Sequence, residues 1–170
     1  MSTAVADLIS KQEIYELSAK YMRGLDRLDS DLLHDVFFED GWCEYGICNA
    51  SPHEFIEFAI TALTEHEANQ HMIGNVLIEL DGDQAFGEVY FNAFHKVKDG
   101  SGFQDLIIAG RYIDRYERRN GAWKIAYRSE VADWSRSGPS CDDFFVHAPQ
   151  SLRGGRLDDA VYQRDNRRKL

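Results

Sequence analysis

His71, in the stretch QHMIGNVLIEL, is the first residue to weigh for chemistry. An imidazole titrates near neutral pH and can take up and return a proton within one catalytic cycle. A carboxylate bonded to one ring nitrogen would fix its tautomer and stabilise the imidazolium formed at the other. Asp26, in YMRGLDRLD, is a carboxylate in an unusual setting. It falls where an amphipathic helix runs out, and a helix C-terminus disfavours negative charge. Tyr21, five residues earlier, offers a phenolic O–H to a leaving hydroxyl or a developing oxyanion; a tyrosine on a helix's inner face also serves as plain core. Arg128, in AWKIAYRSE, shares a strand face with Glu130, Ala132 and Trp134 by alternation. An inward-facing arginine needs a partner, which Glu130 or an anionic transition state would supply. From residue types alone the plainer reading of His71 prevails: a partly buried polar side chain at the start of a strand.

Further residues qualify as binding groups. Trp42, in GWCEYG, reads as a pocket wall or as simple core. His95, in FNAFHKV, shares an alternation face with Phe91 and Ala93, and either enters a cavity or ends a strand in solvent. Arg111, in AGRYID, has the same two readings. Two other signals fail on spacing. In HEANQH, His66 and His71 are five apart, which loses the shared helical face of a zinc-protease motif, and no Cys/His cluster has ligand spacing. KDGSGF joins two strands and precedes no helix, so it is a turn rather than a phosphate loop. Neither a metal nor a cofactor is expected.

The elements that must carry these residues are legible from periodicity. Leu8, Ile14, Leu17, Tyr21 and Leu25 recur at helical spacing, with Gly24 as a stop signal. LDSDLLHDVFF restarts a short helix capped by Asp29 or Ser30. SPHEF opens a third, with Ser51 as cap, Pro52 at the first position and Glu54 closing a capping box. GWCEYGI is a short strand before it. From residue 72 the pattern turns to strands, with hairpin turns at Asp81–Asp83 and Asn120–Gly121. Helices followed by a long antiparallel meander predict an α+β domain with a ligand pocket between sheet and helices.

Composition excludes several classes. The net charge of −10, with no basic stripe, argues against nucleic acid; the one basic cluster, RDNRRKL, reads as a solvated tail. Hydrophobic residues at 44% and charged ones at 28% mark an ordinary globular chain. Cys43, Cys48 and Cys141 have no metal spacing and are odd in number, so free thiols in a reducing compartment are expected. No leader or membrane-spanning stretch is evident, and a cytoplasmic location is expected.

The order of helices, the short strand and the closing GRYIDRYERRNGAWKIAYR resembles the SnoaL-like branch of the nuclear transport factor 2-like superfamily. The resemblance spans about residues 8–136. It implies a cystatin-like cone: a curved mixed or antiparallel sheet wrapped around N-terminal helices and a hydrophobic cavity. The whole of 1–170 then reads as one domain, with 137–170 a C-terminal extension in which Phe144 and Phe145 should find cover. YMRGLD is similar to the bile acid dehydratase pattern, in which a Tyr and an Asp five apart face the cavity. QHMIGNVLIEL resembles the segment that carries the catalytic histidine in that enzyme and in hexachlorocyclohexane dehydrochlorinase. Trp42 and Arg128 match a pocket tryptophan and an active-site arginine of the latter. The resemblance therefore pairs Asp26 with His71 and reverses the plain reading. It implies a cofactor-independent lyase acting on a hydrophobic cyclic or aromatic small molecule, with loss of water, halide, or formaldehyde from an arylpropane diol. Catalysis would fall to His71, Asp26, Tyr21 and Arg128, and substrate binding to Trp42, His95, Arg111 and Glu130. An isomerase or cyclase of a polyketide- or steroid-like substrate would use the same parts. A non-catalytic small subunit of a ring-hydroxylating dioxygenase shares the fold. A homotrimer or homodimer is implied, with no nucleic-acid or membrane partner.

Overall fold

The computed structural model of the chain describes residues 3–164. RDNRRKL lies outside them apart from Arg164. Helix α1 (Thr3–Arg27) buries Ile14, Leu17, Tyr21, Met22 and Leu25 along one face. It does not stop at Gly24. Leu28 takes the left-handed turn instead (φ 54°), and the Asp29 N–H returns to the Gly24 carbonyl at 2.9 Å, closing the helix one turn later. Gly24 is there for a close approach, since a Cβ would stand 2.6 Å from Leu33 Cδ2.

Helix α2 (Ser30–Val36) starts where the Asp29 carboxylate accepts from the Leu32 N–H at 3.0 Å. Phe37 and Phe38, expected to end that helix, instead open strand β1 (Phe37–Glu44); Phe37 is extended and packs edge-on against Tyr21. After the short β2 (Asn49–Ala50), helix α3 (Pro52–Thr64) begins on the expected capping box of Ser51 and Glu54.

The meander follows as β3 (Ala68–Asp81), β4 (Gln84–Asp99), β5 (Gly102–Arg119) and β6 (Ala122–Pro139). Its hairpins turn at Gly82, Gly100 and Asn120–Gly121, all four residues with positive φ. The sheet order is β2-β1-β6-β5-β4-β3, with β1 parallel to β6 and every other pair antiparallel. The result is an α+β cone: an open, mixed, six-stranded sheet curved over the N-terminal helices. Alternation is clearest on β4, where Ala85, Gly87, Val89, Phe91, Ala93 and His95 face the core and the alternate residues face out. Bulges at Gly74–Asn75, Ala126 and Asp133 break the registers and bend the strands.

The segment after Pro139 folds back on its own chain. Short helix α4 (Asp143–His147) leaves Phe144 66% exposed, against the expectation of cover, and Arg153 stacks on Phe145. Asp142 pairs with Lys96, Asp159 with Arg27, and Tyr162 donates to Asp29. Among the described residues no helix is long and apolar enough to cross a membrane.

Candidate active site

The end of α1 and the start of β3 meet at Asp26 and His71. His71 Nδ1 lies 2.7 Å from Asp26 Oδ1, and the His71 backbone N–H also donates to that carboxylate at 3.0 and 3.1 Å. Both side chains are about nine-tenths covered, His71 at 6% and Asp26 at 10% exposure. A carboxylate accepts only, so His71 Nδ1 carries a proton, and in the neutral ring Nε2 presents a lone pair. That is the arrangement of an oriented general base. The backbone contact answers the misplaced charge at the helix end, because a second N–H donor supports Asp26 from β3.

His71 opens onto a cavity of about 220 Å³ between α1, α3 and the sheet. Phe55, Phe91, Leu63 and Ile108 make most of its wall apolar. Its polar groups are few: Tyr21, Tyr45, Tyr112, His66, His95 and Glu130. Tyr21 and Tyr45 share a 2.6 Å hydroxyl–hydroxyl bond, and burial pushes both phenols up, so they stay protonated and can donate. Burial also raises the Glu130 carboxyl above its ordinary range, against the pull of His71 and Arg128. His95 is pushed down to about 3, first by burial and then by His71 and His66, so its ring is neutral at physiological pH. No group of three or more His, Cys, Asp or Glu among the described residues is placed to hold a metal ion.

A SnoaL-like domain model matches residues 6–129. The chain belongs to the SnoaL-like domain family. An uncharacterized protein of Mycobacterium tuberculosis (strain H37Rv) is 27% identical to it over 133 residues, covering 75% of this chain and 88% of that one. Among solved structures, a hexachlorocyclohexane dehydrochlorinase from Novosphingobium barchaimii superposes with a TM-score of 0.72 at 20% identity, covering 82% of this chain and 96% of its own. A provisionally named scytalone dehydratase from Novosphingobium aromaticivorans gives 0.69 at 17%, covering 93% and 99%. At these identities the structural likeness speaks for the fold.

In this SnoaL-like chain Arg128 is placed differently from the expectation. It is fully buried, and neither Glu130 nor the cavity is its partner. Its Nε and Nη2 donate to the two Asp114 oxygens at 2.8 and 2.7 Å, and it packs against both the Tyr21 and Tyr112 rings, 4.3 Å from each centroid. Tyr116 completes the pair by donating to Asp114 at 2.5 Å. Arg128 therefore backs the cavity wall through Tyr21 and Tyr112 and does not line it.

Two expected binding residues face away. Trp42 is 46% exposed, because on β1 its neighbours Gly41 and Cys43 take the inward positions. Arg111 sits on the outer side of β5, where it pairs with Glu88 and Asp133, because Tyr112 takes the inward place. Burial pushes the Cys43 thiol up to about 12, which keeps it protonated and unreactive in the core. Reasoning from sequence missed Tyr45, His66, Asn69 and Asp114. Tyr45 precedes Gly46 (φ 71°) in a turn that carries no periodicity, and its ring is stacked 4.2 Å from Phe55.

Proposed function

We propose that this SnoaL-like protein is a cofactor-independent lyase that removes water or another small group from a hydrophobic cyclic or aromatic molecule. The observation that carries this reading is the 2.7 Å Asp26–His71 contact, with His71 in the wall of a mostly apolar cavity. His71 Nε2 takes a proton from the substrate while the imidazolium is held by Asp26. The electrons of the broken C–H or O–H bond form a new π bond, and the bond to the leaving group breaks. The leaving oxygen takes a proton from the Tyr21–Tyr45 pair or from Glu130, whose raised carboxyl suits a donor. Transfer of the His71 proton, through solvent, back to the group that protonated the leaving oxygen completes the cycle; in halide loss it leaves to solvent with the halide. Loss of formaldehyde from an arylpropane diol needs the same base, acting on a hydroxyl, and halide loss needs no acid.

Arg128 supports the site through charge: held under the Tyr21 ring, it favours negative charge developing on that phenol. Its burial in a separate ion pair with Asp114 is the feature that a non-catalytic binding subunit would share. The test is turnover of arylpropane diols, hydroxylated cyclic compounds and haloalkanes, followed by product mass. Loss of water, formaldehyde or hydrogen halide that depends on His71 supports the lyase. A product of unchanged mass assigns an isomerase, and tight binding without conversion assigns the binding subunit.

A further inference from the structure

Besides His71, the cavity wall carries His66 and His95, and the three rings form a series with neighbouring centroids 5.1 Å apart. What distinguishes them is the partner of Nδ1. For His71 it is a carboxylate; for the other two it is the amide of Asn69. The orientation of that amide follows from two neighbours that have no choice of role. A guanidinium only donates, so the amide oxygen faces Arg156, 2.9 Å from Nη1 and 3.3 Å from Nη2. A backbone carbonyl only accepts, so the amide nitrogen faces Ala68 O at 3.0 Å. In that orientation the same NH₂ lies 2.9 Å from His66 Nδ1 and 3.2 Å from His95 Nδ1. The two amide hydrogens are shared among these three acceptors, and a proton on either Nδ1 would oppose them, which leaves each imidazole proton on Nε2.

Arg156 is locked into this place by its surroundings. It donates to the carbonyls of Asp26 at 2.9 Å and His66 at 3.0 Å, joining the ends of α1 and α3 to the start of β3. It belongs to the segment beyond residue 129, outside the matched family domain.

We propose that Arg156, acting through Asn69, holds His66 and His95 as two neutral Nε2–H donors in the cavity that also holds the basic Nε2 of His71, so that the site selects a cyclic or aromatic substrate bearing an acceptor oxygen. Opposite tautomers in one pocket separate binding from proton abstraction: two rings grip oxygen and the third takes the proton. The donor pair rests on the proposed lyase only for its consequence in turnover; the tautomers are properties of the resting protein.

Nitrogen-15 NMR of the full chain labelled at histidine reads them directly, since protonated and bare ring nitrogens resonate far apart. The expected spectrum has Nε2–H for His66 and His95 and Nδ1–H for His71. Arg156→Gln frees the Asn69 amide and gives mixed tautomers at His66 and His95, while Arg156→Lys keeps them and His71 is unchanged in both. Acetophenone, with its single carbonyl acceptor, should shift the two Nε2–H signals, and ethylbenzene should not. Nδ1–H at both rings in the wild type, unchanged tautomers in Arg156→Gln, or equal responses to the two probes would each overturn the proposal. Loss of turnover with these tautomers intact would instead count against the lyase alone.

Discussion

At the residue scale the site turns on which atom of each polar group is already committed. His71 has one nitrogen committed to Asp26, and its ring lines the cavity. His71→Ala should therefore lower kcat by about 10²–10⁴-fold while leaving the circular dichroism spectrum unchanged. Asp26→Asn should fall close behind, because an amide oxygen can still accept from Nδ1 but cannot neutralise an imidazolium. His95 makes a prediction about stability. Its folded value of about 3 lies below the ordinary 6.5, so between those values the unfolded chain binds a proton that the native chain refuses. Its contribution is complete above pH 6.5 and is lost as the pH falls towards 3. His95→Gln should flatten the fall of the urea midpoint between pH 7 and 4, and an unchanged slope would refute the assignment.

Elements matter at the next scale, because strand parity and bulges decide which side chains reach the interior. Counting back from the Asn120–Gly121 turn sets Ile113 opposite Arg128; the bulge at Ala126 moves the register by one and delivers Asp114 instead. The pair is fully buried, and among the described residues Arg128 Nη1 has no hydrogen-bond partner, so breaking it strands a charge. Asp114→Asn should cost about 3–5 kcal/mol in urea unfolding, and a loss near zero would show that Tyr21 and Tyr112 alone can carry the guanidinium. Gly110 marks a second bulge, where a Cβ would stand 2.0 Å from the Val131 carbonyl. Gly110→Ala should destabilise the β5–β6 pairing, seen as faster amide exchange along both strands.

For the whole molecule, the outer face of the cone is the unusual surface. Phe86, Tyr90, Ile113 and Val131 are 37–46% exposed on three adjacent strands, with Arg111 in their midst held by Glu88 and Asp133. An apolar strip of this kind on a sheet suits association of copies, and sedimentation should show a dimer or trimer. Ile113→Glu with Val131→Glu should shift that species to monomer; a wild type that sediments as a monomer would rule the strip out as an interface.

Sequence by itself determined the helices, the capping box at Ser51, the hairpin turns and the α+β class, because these depend on neighbours a few residues apart. It also marked Asp26, His71, Tyr21, His95 and Glu130 as groups worth placing. Tertiary structure decided which of them meet. Trp42 and Arg111 fall outside the cavity through the parity of single strands, and Arg128 lies behind it through one bulged residue, none of which local pattern encodes. The donor pair at His66 and His95 depends on Asn69 and on Arg156, about ninety residues away in the chain. A tautomer is set by the last hydrogen bond in such a series, and only the folded chain brings that bond into being.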